Sequence, residues 1–348
     1  MLSRTFLTLL PYLAGFGAAA PTAIHGPPPP LPAHQLSARD DANTYNSSLP
    51  NITIFATGGT IAGSAASNTQ TTGYQAGVLG VDRHARGAAQ PDAAGAGRAR
   101  RPALPGRRGD ARHRHARGVG PVPGPDGTVR SEKSVVVVGA MRPATAVAAD
   151  GPMNLLEAVL LAASPSARGR GAMVVLNDRI GSAFYVTKTH ANALDTFAAR
   201  EQGYLGFFID AGPIFYYAPA LPLGRAHFDV LSLRTLPQVG VLFGHQDLTP
   251  ALARAAVDAG ARGLVLAGMG AGSWTPAGST VLAELARDRR TQVVASSRAM
   301  GGFVRRAGTG NVYGAQNLNP QKARIMLQLA LGVGYSSEQL ATLFAFGS

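Results

Sequence analysis

The sequence predicts an α/β protein of two domains. Short apolar runs alternate with helical segments, the order expected where helices cross over between parallel strands. The series halts and then restarts, so the 348 residues divide into two cores of ordinary size. A glycine-rich turn, Ala56–Gly63 (ATGGTIAG), stands directly after an apolar run and marks where chemistry could sit.

Residues 1–20 read as a secretory signal. Arg4 gives the n-region charge, Phe6 to Phe16 the apolar h-region, and Ala18-Ala19-Ala20 a small-residue cleavage site. The apolar run is too short for a membrane span, and no other segment approaches that length. The expectation is a secreted protein, extracellular or in the cell wall or periplasmic space, with no membrane partner. Residues 21–48, with Pro27–Pro30, read as a flexible leader. Asn46-Ser47-Ser48 and Asn51-Ile52-Thr53 are glycosylation sequons, the second placed at the start of a core strand. The chain has no cysteine, and a domain of this size can be stable without disulfides.

The N-terminal domain is expected over 49–224. Ile52-Thr53-Ile54-Phe55 reads as a strand running into the turn, which presents Thr57 and Thr60 among Gly58, Gly59 and Gly63. Glycines there permit a sharp turn and a close approach to main-chain N–H groups. A hydroxyl on such a turn is a nucleophile if a base reaches it, and an ordinary strand-to-loop turn if none does. Further on, Ser134–Val138 reads as a buried strand and Asn154–Ala163 as a helix with Leu155, Val159 and Leu160 on its apolar face. Ala172–Leu176 is the next strand, Asn177-Asp178 a loop, and Ala191–Glu201 a helix. Pro213–Asp229 shows no period and reads as a crossover or linker, with the linker proper at 225–235.

The C-terminal domain is expected over 236–348. Val239–Phe243 is a strand, and Thr249-Pro250 opens a helix to about Ala259 as N-cap and first helical residue. Leu264–Leu266 is a strand entering the loop Gly268–Ser273. Thr280–Arg287 is a helix and Gln292–Ala295 a strand. Asn319-Pro320 caps a helix through Leu331, and Ser337 caps the last one, ending near Phe344. The loop GMGAGS follows a strand but lacks the G-x-G-x-x-G spacing of a dinucleotide site, so it reads as a strand-end loop lining a site.

One segment breaks the pattern. The net charge is +13, and Arg83–Gly127 holds ten arginines and three aspartates in 45 residues. Thirty-five of the 45 are Arg, Ala, Gly or Pro, with only Leu104, Val119 and Val122 larger and apolar, so the stretch cannot build a core. A basic run can attract polyanions, here without the aromatics of a single-strand binder, so no specific nucleic-acid partner is expected. His84, His113 and His115 lack a carboxylate or thiolate at ligand spacing, which argues against a metal site. A third reading fits this composition: codons for these four residues can be wholly G and C. A GC-rich gene translated out of frame, or mis-spliced, gives such a peptide.

Outside that segment the motifs are familiar. TGGTIAG at Thr57–Gly63, TTGYQAG at Thr71–Gly77, VVVVGAMRP at Val135–Pro143, DGPMNLLEAV at Asp150–Val159, VTK at Val186–Lys188 and LNPQKAR at Leu318–Arg324 occur in this order. Pro50–Asp82 and Thr128–Phe344 thereby resemble the bacterial-type (type II) L-asparaginases, most closely fungal secreted members. The resemblance implies a larger N-terminal parallel-sheet α/β domain and a smaller C-terminal α/β domain. It implies a homotetramer whose sites lie between neighbouring subunits. The implied reaction turns L-asparagine into L-aspartate and ammonia, often with some action on L-glutamine, and needs no cofactor. On it, Thr60 matches the nucleophile, Tyr74 the tyrosine of a closing lid, and Lys188 the lysine that holds a second catalytic Thr–Asp pair. Ser273 stands where some members place a substrate-touching asparagine from the neighbouring subunit.

The departures are as specific as the matches. The family's Ser-Gln-Asp clamp and His-Gly-Thr-Asp-Thr stretch should lie between Gly80 and Thr128, and neither is present. Asp126-Gly127-Thr128 imitates the second but stands too close to Gly139-Ala140-Met141. Around Gly302–Gly308 there is no match to a glutamate that some members contribute. The expectation is a chain that is inactive or nearly so as written and that folds poorly, because its N-terminal sheet has lost a strand and a helix. Two other readings stay open: a non-catalytic paralogue with a basic disordered loop, and a glutaminase-asparaginase.

Overall fold

The computed structural model describes residues 52, 54, 58–78, 132–230, 233–299, 301–305 and 310–345. The signal, the leader, both sequon asparagines, Thr57 and the whole of Arg83–Gly127 lie outside the described residues, as do Thr53 and Phe55. Ile52 and Ile54 are described; both are exposed and neither is in a strand.

The first domain is built on a five-stranded sheet. Its strands are β1 (Val135–Val138), β2 (Ala172–Leu176), β3 (Arg179–Ser182), β6 (Gly206–Ile209) and β7 (Gly212–Phe215), adjacent in that order. β1 and β2 are parallel, while the other three pairs are antiparallel, so among the described strands this sheet is mixed. The sequence reading marked Asn177-Asp178 as a loop but missed the returning strands of both hairpins, which are too short to show a period. Asn177 and Asp178 (φ 52° and 59°) join β2 to β3, and Asp210 and Ala211 (φ 49° and 62°) join β6 to β7. Two consecutive left-handed residues make the tight turn that suits the twist of a hairpin.

β2 is buried at every position, with alternate residues feeding two cores. Met173 and Val175 pack with Ile180, Phe208 and Leu161 beneath helix α1 (Gly151–Ala163). Ala172, Val174 and Leu176 pack on the opposite face with Ala183, Val186 and Ala199. β1, expected to be buried, is only half-buried at all four valines, because it ends the described strand order. The fully buried residues of α1 include Asn154, Glu157, Ala158 and Leu161; the expected apolar residues Leu155, Val159 and Leu160 are half-buried.

Two further expectations give way. Ala191–Glu201 is not a helix: a single 3₁₀ turn, Leu194–Thr196, leads into β5 (Phe197–Ala198), which pairs with β4 (Thr187–Lys188). Local side-chain bonds outcompete the helix. His190 Nδ1 accepts from the amides of Asn192 and Ala193, and the Thr196 hydroxyl bonds the main chain of His190. The run beginning at Pro213 opens inside β7, where proline is tolerated because β7 is an edge strand among the described residues.

The second domain is a four-stranded, wholly parallel sheet in the order β11 (Val312–Gly314), β10 (Gln292–Ser297), β9 (Gly263–Gly268), β8 (Val239–Phe243). Helices α2 (Ala251–Asp258) and α3 (Pro276–Asp288) cover Leu264, Leu266 and Val293 on one face. Helices α4 (Pro320–Gly332) and α5 (Ser337–Leu343) cover Val265 and Val294 on the other. Asn319 caps α4 as expected, accepting from the Lys322 amide. α5 is capped by Ser336 rather than Ser337, in a reciprocal box with Gln339. α3 starts four residues before the expected Thr280, capped by Thr275. The result is two α/β domains in the expected order.

Candidate active site

The Thr60 turn is closed by its own backbone. Gly59 adopts φ 94°, a conformation open to glycine at little cost, and Thr60–Ala62 forms one 3₁₀ turn. The amides of Ala62 and Gly77 both donate to the Gly59 carbonyl, at 3.1 and 3.0 Å, and Val78 N–H donates to Ala62. Ser64 and Gln75 form an antiparallel bridge, so the chain doubles back. That return places the Tyr74 hydroxyl 2.7 Å from Thr60 Oγ1. A Cβ at Gly63 would come within 3.0 Å of the Tyr74 ring, so glycine is required for the ring to lie there.

The loop is seated on the segment between β1 and α1. Gly63 accepts from the Ala144 amide, the Thr145 hydroxyl accepts from the Ala65 amide at 2.9 Å, and Val147 N–H donates to Asn68 at 2.7 Å. The seat is shaped by Asp150, whose carboxylate accepts from the amides of Met141 and Arg142, each at 2.8 Å. Its position just before Gly151-Pro152 suggests a helix cap, but no side-chain cap bond forms; the carboxylate is spent on the preceding loop. Below it, Gly151 admits Ile61, whose Cγ1 lies 3.1 Å from where a Cβ would stand. Sequence reasoning noted the Asp-Gly-Pro motif without giving Asp150 or Thr145 this supporting role; an acidic residue eight and nine positions after two loop amides leaves no periodic signal.

The structure brings together Thr60 and Tyr74. Lys188 stands half-buried on β4, paired with Phe197, and no hydrogen bond links it to Thr60 or Tyr74 among the described residues. Ser273 is exposed in the loop after β9, held by a two-way backbone bond with Met269. A small cleft of about 40 Å³ lies beside Tyr185, Thr187, Arg200, Asn317 and Lys322. Neither Thr60, Tyr74, Lys188 nor Ser273 lines it. Among the described residues no group of three or more His, Cys, Asp or Glu side chains could hold a metal ion, and no helix is long and apolar enough to cross a membrane.

The comparisons with known proteins run in the same order as the domains. The family described as "Asparaginase, N-terminal" matches residues 126–221, and "Glutaminase/Asparaginase C-terminal domain" matches 238–344. The "Probable L-asparaginase 3" of Schizosaccharomyces pombe is 44% identical over 330 residues, covering 88% of this chain and 91% of its own length. The "L-asparaginase 2" of Bacillus subtilis is 39% identical over 316 residues, covering 81% and 83%. A crystal structure of a probable cytoplasmic L-asparaginase from Campylobacter jejuni is similar with TM-score 0.59 and 39% identity, over 63% of this chain and 72% of that one. Two α/β domains matched in this order define a two-domain amidohydrolase. Within that class, the chain belongs to the L-asparaginase family shared by fungi and bacteria. The N-terminal match begins only at residue 126, after the Thr60 turn, whereas a match spanning 88% of the chain takes that turn in.

Proposed function

We propose that this chain is an L-asparagine amidohydrolase with Thr60 as its nucleophile, and that residues 83–127 as they stand hold it nearly inactive. The observation that carries the first part is the 2.7 Å contact between Thr60 Oγ1 and the Tyr74 hydroxyl on a glycine turn. The oxygen attacks the side-chain amide carbon, ammonia leaves, and an acyl-threonine remains. Water then releases aspartate and restores the hydroxyl. Tyr74 positions the attacking oxygen and passes on its proton, and backbone N–H groups of the turn face the developing oxyanion. Lys188 is assigned the proton-tuning role by resemblance, and Ser273 a contact with a neighbouring subunit's substrate in a homotetramer. The reaction takes no cofactor. L-Glutamine is a secondary substrate, since one methylene changes discrimination by only about 1–3 kcal/mol.

The second part rests on what the sequence lacks. Between Gly80 and Thr128 there is no Ser-Gln-Asp and no Thr-Asp pair, and that interval is rich in Arg, Ala, Gly and Pro. A positioned acid–base group contributes about 10²–10⁴ in rate, so losing it together with a substrate clamp leaves little. We read 83–127 as an out-of-frame or mis-spliced translation, and residues 1–20 as a signal that directs secretion. Ammonia release from L-asparagine tests the assignment. The expected rate is at least about 10³-fold below that of the S. pombe relative; a rate within tenfold of it overturns the inactive reading. Peptide sequencing of the secreted protein tests the frame, and an intact 83–127 peptide there favours the basic, non-catalytic paralogue.

A further inference from the structure

Lys188 sits on a hairpin that belongs to neither main sheet. β4 and β5 are two residues each and pair only with one another among the described strands, Thr187 opposite Ala198 and Lys188 opposite Phe197. An isolated two-stranded hairpin is marginal in water, so its position must come from what holds its base. The first domain holds one side. Val186 and Ala199 flank the hairpin and are buried in the same cluster as Ala172, Val174 and Leu176 of β2.

The second domain holds the other side, at both ends of the hairpin. Ahead of it, Phe184 is fully buried in the second domain's core, in one cluster with Val265, Val294, Met326 and Leu327. Next to Phe184, the Ala183 carbonyl accepts from the Lys322 ammonium, which comes from the first turn of α4. Lys322 is 6% exposed, and an ammonium is buried that deeply only where its hydrogen bonds are made. Beyond the hairpin, Glu201 Oε1 accepts from the Gly302 amide at 2.8 Å, in the loop after β10. A Cβ at Gly301 would press on that same oxygen at 2.8 Å, so glycine lets the carboxylate approach the loop backbone. The small cleft lies between these two ties. Thr187 and Ala198 line it from the hairpin, Asn317 and Lys322 from the second domain. Alternation along β4 turns Lys188 to the opposite face, and it does not line the cleft.

We infer that the second domain positions Lys188 through these two ties, with Lys322 and Glu201 as positioning residues that act on it through the hairpin. The inference rests on the proposed reading of Lys188 as a group of the active site and adds the contacts that fix it there. The ties differ in kind. Lys322 is sealed between the domains, whereas Glu201 is exposed, so the Glu201 tie can be removed without opening a core.

Amine acetylation of the full chain, mapped peptide by peptide, tests this. Lys133, Lys188 and Lys322 are the lysines of the sequence, and exposed Lys133 serves as the internal reference. Glu201→Ala is expected to raise the labelling rate of Lys188 relative to Lys133 by about three- to tenfold, with the melting temperature unchanged. Glu201→Gln keeps an oxygen that accepts from Gly302 and is expected to restore the wild-type ratio, which a general loss of stability would not do. Lys322→Met is expected to raise Lys188 labelling as well; should it fail to fold, the two Glu201 variants decide. Unchanged Lys188 labelling in Glu201→Ala overturns the inference. Labelling of Lys322 that rises in step with Lys188 in Glu201→Ala also overturns it, because the domains then loosen as a whole. The catalytic reading of Lys188 fails separately. In a chain whose residues 83–127 are replaced by the S. pombe segment, Lys188→Ala with undiminished ammonia release removes Lys188 from the chemistry and leaves the labelling result standing.

Discussion

Val135–Val138 and Gln292–Ser297 are both short strands, rich in valine and parallel to a neighbour, yet they end in different surroundings. β10 lies between β9 and β11 and is buried at all six positions. β1 has β2 on one side, ends the described strand order on the other, and is half-buried at all four. The strand itself does not decide its burial; its neighbours do. The same contrast runs through the domains. The C-terminal model matches from 238 to 344, across every element of the second sheet, whereas the N-terminal match starts only at 126. On the proposed reading, the residues that would flank β1 belong to the interval that this chain fills with arginine, alanine, glycine and proline.

The largest expected effect comes from supplying those neighbours. Replacing residues 83–127 with the corresponding segment of the S. pombe relative should raise ammonia release from L-asparagine by about 10³-fold or more. The same chimera should melt at a higher temperature, because β1 gains a partner. A chimera that is stabilised but no more active would detach the missing strand from the missing chemistry and would count against the proposed half-site. Within the chimera, Thr60→Ala should remove about 10²–10⁴ of the rate with little change in melting temperature, and Tyr74→Phe less. Equal loss from Lys188→Ala alone, with Thr60→Ala retaining activity, would move the nucleophile elsewhere.

Three of the four strands of the second sheet were readable in the sequence because they announce themselves, whereas the short edge β11 (Val312–Gly314) was not found. Val239–Phe243, Leu264–Leu266 and Gln292–Ala295 are apolar runs bounded by helices whose starts carry a cap or a proline, and all three are strands. The first sheet was half readable. Ala172–Leu176 matches residue for residue. The antiparallel strands β3, β6 and β7 were not found, since Arg179–Ser182 is too short for a period and Ala211 is not a residue that signals a left-handed turn. Ala191–Glu201 has helical composition but is captured by His190 and Thr196, a competition that propensity does not record. At the site, Thr60 and Tyr74 were legible as motifs and their contact was not, because it depends on the backbone doubling back between Ser64 and Gln75. The supporting bonds of Asp150 and Thr145 belong to tertiary structure and leave no pattern.

A matched pair of substitutions sharpens the comparison of strands. Val294→Ala, in a side chain with no exposure between α4 and the sheet, should cost about 2–3 kcal/mol in denaturant unfolding. Val137→Ala in half-buried β1 should cost less, about 1 kcal/mol. In the chimera the β1 cost should rise toward that of β10. An unchanged cost there would mean that the transplanted segment does not pack on β1, whatever it does for activity.

The smallest effect separates local from tertiary support at two helix starts. Asn319 and Asp150 occupy equivalent places, one residue before α4 and α1. Asn319 spends its side chain on its own helix, accepting from the Lys322 amide at 2.9 Å. Asp150 spends its carboxylate on Met141 and Arg142, across the loop. Asn319→Ala should therefore cost about 1 kcal/mol, with hydrogen exchange rising only in the first turn of α4. Asp150→Asn keeps the shape but gives up an acceptor for two amides that prefer a charged partner. Its exchange signature should appear not in α1 but at Met141, Arg142 and the Ala65 and Gly63 bonds that rest on that loop. Protection lost in the first turn of α1 instead would make Asp150 an ordinary cap, and the seat of Thr60 would then have to be built by Thr145 and Ile61 alone.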